Sequence, residues 1–218
     1  MKNIFLSIAL LLFTVPGFSQ LLKPVKIDSL VTVSLFPGYQ KKDTLGQHIF
    51  SANGLYGSMI VVVEPNAKNN APLKRETDLN KVLKNYVKGI QTQSESGVTE
   101  NVRDTTIGTL KAKTFTLKKD EASGGIILRR FILLYTNETT YTFEYVYPDY
   151  RKDLVKDELK AYITSIKLSP ELQRNDQYLS NAKGLTTNVK MEILGGGGLV
   201  TILIVILIVV RKRRLATN

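Results

Sequence analysis

The chain has 218 residues, enough for one domain, and its 43% hydrophobic and 22% charged content is that of an ordinary globular protein. It has no cysteine and one histidine, His48, which excludes disulfides, thiol catalysis, iron–sulfur clusters and metal centres built from several histidines. Lys2 and the basic residues 211–214 account for +5 of the net charge of +11. The remaining charges are interspersed without a run of five like charges, so nucleic acid is not an expected partner.

Residues 1–19 have the pattern of a secretory signal peptide. Lys2 precedes an apolar run from Ile4 to Val15, and the helix-breaking pair Pro16-Gly17 leads to the small residue Ser19. A helix of 12 residues is about 18 Å long, too short to cross a hydrocarbon core of ~30 Å. We therefore expect the protein to be exported, with cleavage after Ser19.

Residues 20–168 are predicted to form one extracytoplasmic domain that begins with strands. The first strand covers 31–35, and Asn53-Gly54 is predicted to join strands 48–52 and 55–63, because this pair accepts the positive φ of tight turns. Apolar residues then recur at helical spacing and predict a helix over 78–94: Leu79, Val82, Leu83, Tyr86, Val87 and Ile90.

Strand patterns return after this helix, at 98–104, 109–118, 125–136 and 139–147. The alternation in the last strand places an aromatic row, Tyr141, Phe143, Tyr145 and Tyr147, on one face of the sheet. We expect the row to be buried beneath one or both helices; the alternative is an exposed binding face. A second amphipathic helix is predicted from Pro148-Asp149 onward, with the stripe Leu154, Val155, Leu159, Tyr162, Ile163 and Ile166.

These elements predict an α+β fold, in which an antiparallel sheet of about six to seven strands packs with two main helices. Three segments support a family resemblance by their order and spacing: 33–38 (VSLFPG), 107–112 (IGTLKA) and 163–168 (ITSIKL). Over residues 27–168 the chain resembles the PsbP-like superfold, which includes the PsbP subunit of photosystem II, the Ran-binding nuclear-import factor and the bacterial DcrB-type proteins. The resemblance implies an α/β/α sandwich and a binding or assembly role without catalytic machinery. It assigns no binding residue to this chain.

The C-terminal part predicts a membrane anchor. Residues 169–192 have the composition of a polar linker, and residues 193–210 contain no charge and would form a helix of about 27 Å. The basic cluster Arg211, Lys212, Arg213 and Arg214 marks the cytoplasmic side and opens a tail over 211–218. We expect a single-pass protein with its domain outside the cytoplasm. The Gly195–Gly198 run leaves open a second interpretation, a sorting tail that is processed.

The sequence offers little catalytic chemistry. His48 has no Gly-x-Ser-x-Gly element to serve, and the carboxylates of Asp120-Glu121 and Asp157-Glu158 are sequence neighbours, which point apart on a strand or helix. We therefore expect a non-catalytic binding or assembly module of the bacterial cell envelope, without a cofactor. Its expected partners are the membrane, through 193–210, and an envelope protein. The alternative is an envelope hydrolase that uses His48 or a carboxylate pair.

Overall fold

The structure is a computed structural model that describes residues 22–67, 71–121 and 125–180. Its strands are β1 (Lys23–Lys26), β2 (Val31–Leu35), β3 (Gln40–Thr44), β4 (Gln47–Asn53), β5 (Ser58–Pro65), β6 (Val98–Ile107), β7 (Leu110–Glu121), β8 (Gly125–Tyr135), β9 (Thr139–Pro148) and β10 (Lys167–Leu168). The helices are α1 (Glu76–Gln93) and α2 (Lys156–Thr164), and short 3-10 turns cover Asp149–Arg151 and Arg174–Asp176.

Two antiparallel sheets organise the domain. The large sheet has seven strands in the order β3-β4-β5-β9-β8-β7-β6, and the small sheet has three in the order β1-β2-β10. The predicted antiparallel α+β fold with two main helices is confirmed. Strands β1, β3 and β10 were not predicted, because β3 (QKKDT) is entirely polar and the other two are only four and two residues long.

The aromatic row packs beneath α2 and the small sheet. Tyr141, Phe143, Tyr145 and Tyr147 are 1%, 1%, 0% and 9% exposed, so their predicted burial is confirmed. The ring centroids of Tyr145 and Tyr162 on α2 lie 6.1 Å apart, and β2 contributes Val33 and Leu35 to the same core. This face of the large sheet is therefore the main hydrophobic core of the domain.

Helix α1 covers the opposite face of the large sheet. Its buried residues Leu79, Leu83 and Val87 pack with Phe115 and Phe131, whose rings stack at a centroid distance of 4.7 Å. Of the two helices expected above the aromatic row, only α2 therefore covers it, and α1 covers the other face. Strand alternation shows which residues share a face, but not which helix covers that face.

Helix α2 begins later than Pro148-Asp149. The chain first forms the 3-10 turn Asp149–Arg151, and α2 starts only at Lys156. Leu154 belonged to the predicted stripe but is 56% exposed, whereas Val155 is 1% exposed. The tighter 3-10 turn shifts the helical phase, so the stripe begins at Val155.

The Asn53-Gly54 turn differs from the predicted tight hairpin. Strand β5 begins at Ser58, and a four-residue loop over 54–57 is closed by the Gly54 amide, which donates to the Gly57 carbonyl at 2.8 Å. The φ of Gly54 is not positive. Glycine is needed here for space, because a Cβ atom on Gly54 would overlap the Phe36 ring.

Residues 169–180, which the sequence assigns to the linker, pack onto the domain. Leu172 and Tyr178 are 7% and 2% exposed, and each joins one of the two cores. The Gln177 side chain is fully buried; it accepts the Lys111 amide at 2.8 Å and donates to the Lys111 and Tyr135 carbonyls at 2.7 and 2.8 Å. The sequence does not indicate this packing, because the segment is rich in polar residues and only Leu172, Gln177 and Tyr178 in it are buried.

The large sheet has two ends. We call the end with the β6–β7 and β8–β9 turns the exit end, because Gln177 contacts Lys111 and Tyr135 there and the described chain stops nearby at Ser180. The end with the β4–β5 loop and the Asp149–Arg151 turn is the far end. Strand β9, which has 10 residues, runs between them and separates the two ends by about 30 Å.

Within the described ranges 22–67, 71–121 and 125–180, neither helix is long and apolar enough to cross a bilayer. The predicted signal peptide, residues 1–19, and the predicted span, residues 193–210, both lie outside the described residues, as do Arg211, Lys212, Arg213 and Arg214.

We predict that Gln177→Ala destabilises the domain by about 3 kcal/mol, because it leaves one buried and two half-buried backbone groups without their side-chain partner. An unpaired buried group costs roughly 1–3 kcal/mol. Chemical denaturation followed by circular dichroism measures the change. Gln40→Ala is the matched control, since Gln40 is exposed on β3, and should change the unfolding free energy by less than about 0.5 kcal/mol. Equal effects of the two substitutions would show that residues 169–180 are not part of the folded unit.

Candidate functional site

Large apolar side chains lie exposed at the far end of the sheet. Leu55, Tyr150 and Leu154 are 63%, 76% and 56% exposed. They lie on two loops, the β4–β5 loop and the segment that leads from β9 into α2. We call these three residues the apolar rim. Exposed apolar side chains that cluster on one surface are typical of interaction sites, whereas single ones are common everywhere.

Arg151 ties the two loops of the apolar rim together. Its Nη1 atom donates to the Leu55 carbonyl at 3.3 Å and lies 3.5 Å from the Tyr56 carbonyl. Its guanidinium carbon also lies 5.4 Å from the centre of the Tyr150 ring. The Arg151 guanidinium therefore fixes the two loops of the rim, and part of its hydrogen-bonding capacity is already used.

An open cleft of about 310 Å³ lies beside the rim. The β4–β5 loop lines the cleft together with Ile127 and the segment from Val146 to Arg151. This volume is at the lower limit of ligand pockets in proteins. The cleft can therefore accept a side chain or another small group, but not a large cofactor.

A carboxylate lies beneath the β4–β5 loop. The Tyr145 hydroxyl donates to Glu158 Oε1, and burial raises the pKa of Glu158 above its usual range. A Cβ atom on Gly54 would lie 2.6 Å from the same Glu158 oxygen. This packing joins α2, β9 and the β4–β5 loop, so the position of the rim depends on it.

The aromatic row does not form an exposed face. The Tyr141 hydroxyl donates to Asp28 Oδ2 at 2.7 Å inside the domain, and the rings of Phe143 and Tyr145 are covered. Only Tyr147 reaches a surface feature, as part of the lining of the cleft.

His48 lies at the exit end, on the exposed β3–β4 hairpin. Its Nδ1 atom is 2.7 Å from Asp43 Oδ1, and the two side chains are 47% and 61% exposed. This hydrogen bond is the main reason that the pKa of Asp43 is below its usual range. The pair lies on an open strand surface, about 30 Å from the rim.

The predicted carboxylate pairs are split. Asp120 is exposed and Glu121 half-buried at the end of β7, while Asp157 faces solvent and Glu158 faces Tyr145. In the part of the chain that the structure describes, no group of three or more His, Asp or Glu side chains is placed to hold a metal ion.

Sequence reasoning missed Leu55, Tyr150 and Arg151. Leu55 follows Asn53-Gly54, and Tyr150 and Arg151 follow Pro148-Asp149. The presence of large apolar residues directly after these turn sequences could have indicated the rim. Strand order alone decides which turns meet at the same end of the sheet. The pairing of β5 with β9 could not be derived from the sequence.

The chain matches no protein-family model and no curated protein sequence. Its structure is similar to that of PsbP from the cyanobacterium Synechocystis sp. PCC 6803, with a TM-score of 0.50 and 15% identity over 69% of this chain and 94% of that one. Lower similarity is found to LpqN of Mycobacterium tuberculosis, a protein involved in cell envelope biogenesis (TM-score 0.47, 8% identity, 68% and 90% covered). The protein PA94 of Pseudomonas aeruginosa follows (TM-score 0.44, 12% identity, 70% and 99% covered).

At these identities, the similarity concerns the fold alone. The described domain has a PsbP-like α+β fold, as the resemblance in the sequence implied. It assigns no ligand or partner to this chain, so the function must be argued from the surfaces of the domain itself.

We predict that Glu158→Gln makes the domain more stable than the unmodified chain at pH 7, and that the difference disappears below pH 4.5, the ordinary pKa of the group. A carboxyl group whose pKa is raised in the folded state favours folding below its ordinary pKa and loses this contribution as pH rises through the raised value. Glutamine keeps an oxygen that accepts the Tyr145 hydroxyl but carries no charge.

Thermal unfolding at several pH values between 4 and 7 measures this difference. Glu171→Gln is the control, because Glu171 is exposed, and its unfolding curve should follow that of the unmodified chain. A constant difference between Glu158→Gln and the unmodified chain across the pH range would contradict the prediction.

Proposed function

We propose that the chain is an exported, membrane-anchored, non-catalytic binding or assembly module of the cell envelope, and that its far end binds a partner protein. The observation that carries the proposal is the apolar rim of Leu55, Tyr150 and Leu154 beside an open cleft. Three neutral side chains offer no charge complementarity, so the matching surface of the partner is apolar at its centre.

The position of the rim supports a partner outside the membrane that anchors the chain. Twelve residues, 181–192, separate Ser180 from the predicted span, and their fully extended length is at most about 40 Å. They join the domain at the exit end, so the far end is the part of the domain remote from the anchor. A partner protein in the envelope can reach it there.

The rim also fits the chemistry of protein binding better than that of catalysis. The cleft is lined by polar and apolar residues alike, and the one charged residue in its described lining, Arg151, already binds a loop carbonyl. The nearby carboxylate of Glu158 accepts the Tyr145 hydroxyl instead of pointing into the cleft. The docking of an apolar side chain needs none of these groups to react.

We expect a photo-reactive amino acid at position 55 or 150 to crosslink the full-length chain, in intact cells, to one envelope protein. The same amino acid at Leu45 or Leu179 is the matched control, because these residues are 78% and 56% exposed but lie toward the exit end. Crosslinked species are separated by mass and identified by mass spectrometry.

Leu55→Asp should abolish the crosslink from position 150 while leaving the melting temperature within about 2 °C, since exposed substitutions rarely change stability. Leu179→Asp should leave the crosslink unchanged. Crosslinks of equal yield from positions 45, 55, 150 and 179, or none from the far end, would contradict a docking site at the rim.

The proposed topology is tested separately. We predict that a reporter enzyme active only outside the cytoplasm works when fused after residue 190 and fails when fused after residue 214, because 193–210 stops transfer and Arg211–Arg214 stay inside. Activity at both positions would mean that 193–210 is not a membrane span. Intact mass of the membrane form distinguishes the retained tail, which ends at Asn218, from a processed tail that ends near Gly195–Gly198.

A further inference from the structure

Two consecutive arginines on β8 have opposite environments. Arg129 lies on the face of the sheet that α1 covers, where its Nε and Nη2 atoms donate to the two carboxylate oxygens of Glu144, the second at 3.0 Å. Its guanidinium carbon also lies 5.2 Å from the centre of the Phe131 ring. Arg129 is thus fully neutralised inside the protein.

Arg130 lies on the opposite face and has no such partner. It is half-buried, and its Nη1 atom donates to the neutral Thr116 hydroxyl at 3.0 Å. Among residues 22–67, 71–121 and 125–180, no carboxylate forms an ion pair with it. Burial, and then the nearby charge of Arg103, lower the pKa of Arg130.

Arg103 is directed toward Arg130 by an irregularity in β6. Glu100 is opposite Thr116 and Arg103 is opposite Thr114, so β6 uses one residue more than β7 between these two pairs. The extra residue is accommodated beside Asn101, which has a φ of 54°. Without this bulge Val102, and not Arg103, would share a face with Thr114 and Thr116.

The bulge therefore brings two positive charges to one face. Strands β6 and β8 flank β7, and Arg103 and Arg130 are offset by two residues along the strands, which places their backbones about 12 Å apart. This distance is within reach of two long side chains. Arg103 is exposed and, like Arg130, forms no ion pair in the described part of the chain. Bringing like charges together costs free energy unless an anion neutralises them.

Two other groups border this face. Tyr145 on β9 is opposite Arg130, and Tyr147 is two residues further along β9, opposite Leu128. Tyr147 therefore lies on the same face of the sheet as Arg130. The charge of Arg130 acts to lower the pKa of Tyr147, although burial raises it overall. Glu100 is opposite Thr116, which is in turn opposite Arg130, so all three lie on one face. A bound anion would therefore compete with the Glu100 carboxylate for the arginines.

We propose that Arg103 and Arg130 form a binding site for a phosphoryl group, either free phosphate or the headgroup of a phospholipid. Guanidinium groups bind such oxyanions through paired N–H donors, and two of them on neighbouring strands can hold oxygens of one group from two sides. The hydrogen bond to the Thr116 hydroxyl orients Arg130. The site is separate from the apolar rim and does not depend on the partner proposed there.

Inorganic phosphate is the first probe. The full chain in a phosphate-free maltoside detergent is titrated with phosphate, with sodium chloride at the same ionic strength as reference, and the melting temperature is recorded. We expect stabilisation that saturates with phosphate and is absent with chloride. Arg103→Gln and Arg130→Gln should each weaken the apparent affinity about tenfold or more, because each removes one charge-assisted contact.

Control variants distinguish a specific binding site from a general effect of positive charge. Lys84→Gln removes an exposed charge on α1, on the other face of the sheet, and should leave the affinity unchanged. Glu100→Gln should strengthen binding, because it removes the competing carboxylate. If Arg130→Gln fails to fold, Arg103→Gln still decides the question, since Arg103 is exposed on an edge strand.

Vesicles distinguish the two sources of the phosphoryl group. The full chain is reconstituted in galactolipid vesicles, which carry no phosphate, with or without phosphatidylglycerol. A rise in melting temperature with phosphatidylglycerol that is lost in Arg103→Gln, but not in Lys84→Gln, would assign the site to a lipid headgroup. Saturable stabilisation by inorganic phosphate with no such effect of phosphatidylglycerol would assign it to a soluble phosphate. Equal effects of phosphate and chloride, or equal losses in Arg103→Gln and Lys84→Gln, would overturn the proposal.

Discussion

The fold depends on the burial of β9 on both of its faces. This strand lies between β5 and β8 in the large sheet, and its aromatic row packs beneath α2 and the small sheet. Its other face carries Thr140, Thr142 and the buried Glu144. A carboxylate in that position must be neutralised, and Arg129 on the neighbouring strand does so. Removing one member of such a buried pair leaves an uncompensated charge, which typically costs about 3–5 kcal/mol. The α1 side of the sheet is therefore stabilised by a specific charge pair as well as by apolar contact.

Because the two faces of the central strands are occupied by the protein's own elements, the surfaces left for partners lie at the margins of the sheet. One is the far end, where loops extend beyond the cores and expose the apolar rim. The other is the β6 side, where the bulge directs Arg103 toward Arg130. Both surfaces arise at places where regular pairing stops, which is where proteins with a rigid scaffold usually place functional groups. The PsbP-like fold provides a rigid scaffold, and the surfaces specific to this chain lie at the margins of its sheet.

The contrast between Arg129 and Arg130 shows how the sheet sorts identical side chains. Period-two alternation sends neighbours to opposite faces, so one arginine meets Glu144 and the other meets only Thr116 and a like charge. On helix α2 successive side chains point about 100° apart, so Asp157 faces solvent while Glu158 faces Tyr145. Adjacent charged residues in a sequence are thus seldom partners, and what they bind depends on the elements packed on each face.

The sequence by itself determined the local elements, because periodicity of apolar residues is a local property. Helix α1 was predicted over 78–94 and found over 76–93, and seven of the ten described strands were predicted within three residues at each end. It also determined which residues share a face, including the aromatic row. Only the tertiary structure decided that α1 covers the Phe115–Phe131 face and that Gln177 and Tyr178 belong to the domain. It also decided that Arg151 joins the loops of Leu55 and Tyr150, and that Arg103 and Arg130 share a face. These facts depend on strand order, on short polar segments and on a one-residue bulge. None of these leaves a periodic signal in the sequence, because each arises from contacts between residues far apart in the chain.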